Sequence, residues 1–127
     1  MNFYIASGFQ NLTLVKNMSL EIQKVLGWNL TYDWTKNERA ITFEELVHIG
    51  TKEYKGVMDS DVVIVILPGG KGCHTELGIA LGGNKCILLY DPCDVLDNYM
   101  EATTFYYLPQ IKRWNGNILE LSDLILV

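Results

Sequence analysis

The sequence predicts a doubly wound α/β fold, a mostly parallel sheet of about five strands with helices on both faces. Three observations carry that reading. VVIVIL, residues 62 to 67, is apolar and β-branched at successive positions, so both of its faces must be buried, as in a parallel sheet. CILLY, residues 86 to 90, is a second strand of the same kind. Strand-like and helix-like segments alternate along most of the chain, which supplies the crossovers that parallel neighbours need.

Taken in order, FYIAS (3–7) is the first strand, followed by Gly8 and by Asn11 as a helix cap. Val15, Met18, Ile22, Val25 and Leu26 then recur at helical spacing, and Gly27 stands where a left-handed cap ends a helix over about 12–26. WNLTYDW (28–34) alternates like a short strand, and the polar TKNERA after it is a loop. Thr42 precedes Glu45 by the capping-box spacing. Leu46, Val47, Ile49, Tyr54, Val57 and Met58 supply the buried side of a helix over about 43–58, which Gly50 and Gly56 weaken. After the PGGKGCH turn, Leu77, Ile79, Ala80 and Leu81 form a short helix that Gly82 and Gly83 end. A strand near 104–108 and a helix over about 117–124 complete a flavodoxin-like or Rossmann-like order.

With 127 residues, the chain is expected to form a single domain, 1–127, without repeat or linker. Its net charge of -5 disfavours nucleic acid polymers and anionic membranes, both of which select clustered Lys and Arg, and leaves small molecules as partners. Cys73, Cys86 and Cys93 are odd in number and lack a C-x-x-C pair, so neither a disulfide framework nor a zinc site is signalled and a cytoplasmic setting is expected. MNFYIASGFQN has no signal-peptide pattern, and no apolar run approaches the ~20 residues of a membrane span. His48 has no ligand-spaced partner, and no metal or cofactor is expected.

Ligands of doubly wound sheets bind beyond the carboxyl ends of the strands, which selects the SGFQN and PGGKGCHTE loops. Gly69, Gly70 and Gly72 let backbone amides approach a phosphate or a sugar hydroxyl, or else simply make a tight strand-to-helix turn. Neither G-x-x-x-x-G-K-[ST] nor G-x-G-x-x-G occurs. Glu76 is expected in the first turn of the following helix, at the mouth of the sheet. There the helix dipole would hold it ionised, as a carboxylate nucleophile requires, or it would only complement that dipole.

FYIASGF, DVVIVILPGG and HTELGIALGGNKCILLY, in that order, resemble the nucleoside 2-deoxyribosyltransferase family and its nucleoside 5'-monophosphate N-glycosidase relatives. The likeness covers most of residues 3 to 90. The family's E-L-G glutamate falls on Glu76, its strand-one tyrosine on Tyr4, and its acid eight residues before the third strand's Asp61 on Glu53, where an aspartate is usual. Gly70 stands where deoxyribosyltransferases often carry an aspartate that handles the base.

The resemblance implies cleavage or transfer at the N-glycosidic bond of a nucleoside or nucleotide. Glu76 is the implied nucleophile and forms a glycosyl ester, Tyr4 positions it, and Glu53 accepts sugar hydroxyls. It also implies a homo-oligomer in which neighbouring subunits complete each site. Ser7, Gly8, Lys71 and the loop amides are candidates for a 5'-phosphate, although Lys71 also reads as a solvated charge. Phe9 either stacks on a base or packs on the first helix, and His74 is either an acid or base or a helix-start residue. A non-catalytic nucleotide-binding or sensing module of the same fold is the alternative.

Overall fold

The computed structural model describes residues 1–125. Along the chain come β1 (Asn2–Ser7), α1 (Leu12–Leu26), β2 (Asn29–Leu30), α2 (Phe43–Met58), β3 (Val62–Ile66), α3 (Lys71–Gly82), β4 (Cys86–Tyr90), β5 (Ile111–Trp114) and α4 (Leu121–Ile125). The five strands form one sheet in the order β2-β1-β3-β4-β5, and every neighbouring pair is parallel. The chain runs outward from β1 to β2 and then crosses back to β3, so the topological switch point lies between β1 and β3.

β3 is buried along its whole length and β4 at its three inner residues, which explains their unbroken apolar runs. Alternation along β1 sorts its side chains between the layers. Tyr4 faces α2 and α3, closely approached by Gly56 of α2 and touching Glu76 of α3. On the opposite side Phe3 lies 6.3 Å from the ring of Trp28, at the end of α1.

Local signals set the long helices. Gly27 closes α1 in the left-handed conformation, at φ 67°. Thr42 caps α2 by accepting the Glu45 amide at 3.1 Å, while the Glu45 carboxylate reaches back to the Ile41 amide at 2.8 Å. Asn11 begins α1 without a side-chain cap; its amide donates instead to Ser7 Oγ at 2.9 Å and to the Pro68 carbonyl at 3.2 Å.

Three segments differ from the sequence reading. WNLTYDW is a strand over Asn29–Leu30 alone, because the Asp33 carboxylate takes the Thr35 amide and turns the chain into a 3-10 turn at Trp34–Lys36. Trp34 is thereby inserted into the core, its indole N–H on the Ile5 carbonyl at 2.7 Å. The 104–108 region is also a 3-10 turn, Thr104–Tyr107, started by the Thr103 hydroxyl, and the fifth strand is Ile111–Trp114. The last helix is split into a 3-10 turn at Ile118–Glu120 and α4.

Gly56 is the contact on which the site's geometry turns. A Cβ there would lie 2.9 Å from Tyr32 Cβ and 3.1 Å from the Tyr4 ring, whereas a Cβ on Gly78 of α3 would meet nothing within 4 Å. We expect Gly56→Ala to lower stability by about 1–3 kcal/mol through overpacking. Gly78→Ala should raise it by about 0.5–1 kcal/mol through helix propensity. Urea unfolding of the two variants checks this; a stabilised Gly56→Ala would refute the close approach.

Candidate active site

Tyr4, in the middle of β1, directs its phenol toward α3 and donates to Glu76 Oε2. Glu76 is 5% exposed, one of three buried polar or charged side chains among the described residues. Its carboxyl also shares a hydrogen bond with Glu53, half-buried on α2. Three elements thus converge on one carboxyl group.

Glu76 sits in the second turn of α3, not the first, because α3 begins at Lys71 directly after Gly70. The Gly70 carbonyl accepts both the His74 amide, at 3.1 Å, and His74 Nδ1, at 2.8 Å, so the KGCH segment is already helical. This start one turn early points Glu76 inward at Tyr4 instead of outward at the sheet mouth. Burial then raises its pKa to about 9; the Tyr4 hydrogen bond opposes the rise, and the contact and charge of Glu53 reinforce it. The resting group is a neutral acid, contrary to the ionised state that the helix dipole suggested. Burial, with the charge of Glu76, keeps the Tyr4 phenol far above the ordinary tyrosine range, so Tyr4 acts as a donor.

Glu53 also lines a cavity of about 760 Å³ bounded by Phe9, Trp34, the 37–40 segment and the Leu46 and Ile49 side of α2. Phe9 is 77% exposed and stands edge-on to Trp34, with ring centroids 5.9 Å apart at 89°. Of the candidate residues, the structure therefore gathers Tyr4, Glu53 and Glu76 into one cluster and puts Phe9 in the wall of the adjoining cavity.

The remaining candidates lie elsewhere. Ser7 Oγ donates to the Ile66 carbonyl at 2.7 Å, and the Gly8 amide donates to the Pro68 carbonyl at 3.3 Å, so both tie the loops after β1 and β3 together. Gly69 lets Cys73 pack close, since a Cβ there would be 2.6 Å from its sulfur. Gly70, Lys71 and Gly72 form the exposed start of α3. His74 is fixed as one tautomer: the Gly70 carbonyl can only accept, so Nδ1 carries the proton and Nε2, 2.5 Å from the Tyr106 hydroxyl, accepts from it. Burial, then the charge of Glu76, pushes the Cys73 thiol up to about 12, which leaves it protonated and unfit as a nucleophile.

Sequence reasoning did not single out Trp34, Glu38 or Arg39, which the cavity wall contains. The available signal was position: a polar loop just beyond the carboxyl end of the strand beside the switch point.

No protein-family model and no curated protein matches the chain. Solved structures do. A 2-deoxyribosyltransferase from the psychrotolerant bacterium Bacillus psychrosaccharolyticus is similar over 98% of this chain and 96% of its own, with a TM-score of 0.70 at 18% identity. The chain has that enzyme's fold. A CMP N-glycosidase from Clostridium botulinum is similar over the full length of both chains, with a TM-score of 0.60 at 13% identity. Among the described residues, no helix of this 2-deoxyribosyltransferase-like fold is long and apolar enough to cross a membrane.

The neutral state of Glu76 has a thermodynamic signature. In the unfolded chain the group ionises from its ordinary 4.5, but in the folded protein only near 9. Between these values unfolding releases a proton, so this contribution is complete below the lower value and is lost as pH rises toward the upper one. Glu76→Gln keeps an acceptor for Tyr4 and a donor for Glu53 and removes the titration. We expect its stability relative to the parent to grow from pH 5 to pH 8 by at most about 1.4 kcal/mol per pH unit. Thermal unfolding at several pH values checks this, and a gap that narrows toward alkaline pH would contradict a buried neutral acid.

Proposed function

We propose that this chain cleaves or transfers at the N-glycosidic bond of a (deoxy)nucleoside or nucleoside 5'-monophosphate, with Glu76 as the nucleophile. The observation that carries the reading is the carboxyl of Glu76 held by Tyr4 and joined, through Glu53, to a cavity of nucleoside size. The fold shared with the two glycosidic-bond enzymes supports it.

In this reading sugar hydroxyls occupy Glu53. Glu76 must first lose its proton, and Glu53 is the hydrogen-bond partner in reach to take it. The Glu76 oxygen then bonds to the anomeric carbon as the C–N bond breaks, the bonding pair leaves with the base, and the base takes up a proton. Tyr4 steadies the carboxylate formed. Water or a second base resolves the glycosyl ester by the reverse steps. The exposed start of α3, with Lys71 and the amides of Gly70 and Gly72, is the place for a 5'-phosphate when there is one.

Incubation with a panel of deoxynucleosides and nucleoside monophosphates, with and without an acceptor base, should release base. Glu76→Ala should lose about 10³-fold or more in kcat. Tyr4→Phe should lose about 10- to 100-fold, the worth of one hydrogen bond to a charged group. Intact-mass measurement during turnover should find a sugar adduct on the parent and none on Glu76→Ala. A ligand that binds and stays intact would favour the sensing alternative and sink the catalytic one.

We also read the protein as a homo-oligomer of a reducing, cytoplasmic compartment, which three unpaired cysteines suit. The outward side of α2 exposes Leu46, Val47, Tyr54 and Met58 along a helical stripe. Its first turn carries Glu44 and Glu45, and Lys52 and Lys55 follow, so two antiparallel copies of α2 place opposite charges together. The same helix walls the cavity, so a second subunit there would border the site. Sedimentation should show a dimer or larger species that Val47→Glu with Tyr54→Glu dissociates; a monomeric parent at micromolar concentration would refute this.

A further inference from the structure

The cavity wall holds a recognition pair that the reaction scheme leaves unused. Glu38 and Arg39 both line it, and among the described residues neither makes a hydrogen bond or ion pair. The third polar side chain of that segment, Asn37, is already engaged, its oxygen accepting the Tyr32 hydroxyl at 2.8 Å. An unpaired guanidinium beside an unpaired carboxylate presents a fork of donors next to an acceptor.

Their place along the cavity determines what they meet. Leu46, Ile49 and Glu53 form the wall stripe of α2. At about 1.5 Å per residue, Glu53 lies about 10 Å along the axis from Leu46. Glu38 and Arg39 also share a surface depression with Glu44, Glu45 and His48 in the first two turns of α2, toward the end of the helix away from Glu53. With a sugar held at Glu53, the part of the ligand that passes Phe9 and Trp34 is a flat ring, and its far edge reaches Glu38 and Arg39. An oxo base carries a carbonyl beside a ring N–H along that edge, the complement of Arg39 beside Glu38. An amino base carries an amino group beside a bare ring nitrogen, which sets donor against donor and acceptor against acceptor.

We infer that Arg39, with Glu38, determines base specificity by hydrogen-bonding the carbonyl and N–H edge, so that the site takes oxo bases such as 6-oxopurines in preference to their amino counterparts. The inference rests on the N-glycosidic reading above for its substrate class.

The test compares 2'-deoxyinosine with 2'-deoxyadenosine, which differ at that edge, each with and without a 5'-phosphate. The parent should favour the oxo base in kcat/KM by about tenfold or more. Glutamine pairs well with adenine, so Arg39→Gln should cut the oxo-to-amino ratio by about tenfold while base release from the amino substrate persists. An equal loss on all four substrates, or no preference in the parent, overturns the inference. A loss confined to the two monophosphates overturns it as well and assigns Arg39 to the phosphate. If no substrate turns over, the glycosidic reading fails by itself, and calorimetric binding of free hypoxanthine against adenine to the parent and to Arg39→Gln decides the specificity separately: a preference for hypoxanthine lost in Arg39→Gln upholds it, and its absence overturns it.

Discussion

One buried carboxyl group organises this protein. Glu76 lies inside the layer between the sheet and α2 and α3, where an unpaired charge would cost several kcal/mol. It is accommodated by a phenol from β1 and a second carboxyl from α2. Those partners are available because the sheet order puts β1 beside the central strand β3 and under both helices, and because Gly56 lets α2 settle onto the Tyr4 ring. Glu53 lies three residues before Gly56 and so on the same side of α2, which means that one close approach serves both packing and the carboxyl contact. Fold and site share a single geometric condition.

The balance of electrostatic effects follows from that position. A helix dipole contributes about 0.3–1 kcal/mol and fades beyond the first turn, whereas burying a carboxylate costs several kcal/mol. At the second turn of α3, burial therefore wins and the resting acid is neutral. As the proposed nucleophile, Glu76 would stay protected until a ligand arrives. In the proposed chemistry the sugar hydroxyls that engage Glu53 alter the hydrogen bond that keeps Glu76 protonated, so binding and activation are linked through the same carboxyl pair.

What the sequence made legible and what it did not divides along a physical line. The limits of α1 and α2 rest on local chemistry, the left-handed Gly27 and the Thr42 cap, and both were read to the residue. The buried strands β3 and β4 rest on composition; β4 was read to the residue and β3 to within one. The WNLTYDW strand and the 104–108 strand depended on decisions made at a distance: Trp34 is drawn into the core by the Ile5 carbonyl, and Tyr106 is held in its turn by His74. Alternation of residue types cannot report such contacts. The site divides in the same way. No local pattern joins Tyr4, Glu53 and Glu76; position after the glycine turn singled out Glu76, and family spacing nominated Tyr4 and Glu53, whereas the 34–40 segment carried no motif and reaches the cavity through the 3-10 turn at Trp34.

The same line separates chemistry from recognition. The loops after β1 and β3 are stitched to one another by Ser7, Gly8, Asn11 and the Ile66 and Pro68 carbonyls, which makes the switch point a rigid support whose remaining polar groups are those at the exposed start of α3. The cavity wall comes instead from α2 and from an exposed segment whose Glu38 and Arg39 side chains bear no structural duty. On the proposed reading, substitution in that segment alters what the cavity admits without disturbing the packing of Glu76, whereas substitution at Tyr4 or Gly56 disturbs Glu76 and the core together. An enzyme built as proposed would change its substrate by altering exposed side chains while its buried acid, and the strand and helices that hold it, stay as they are.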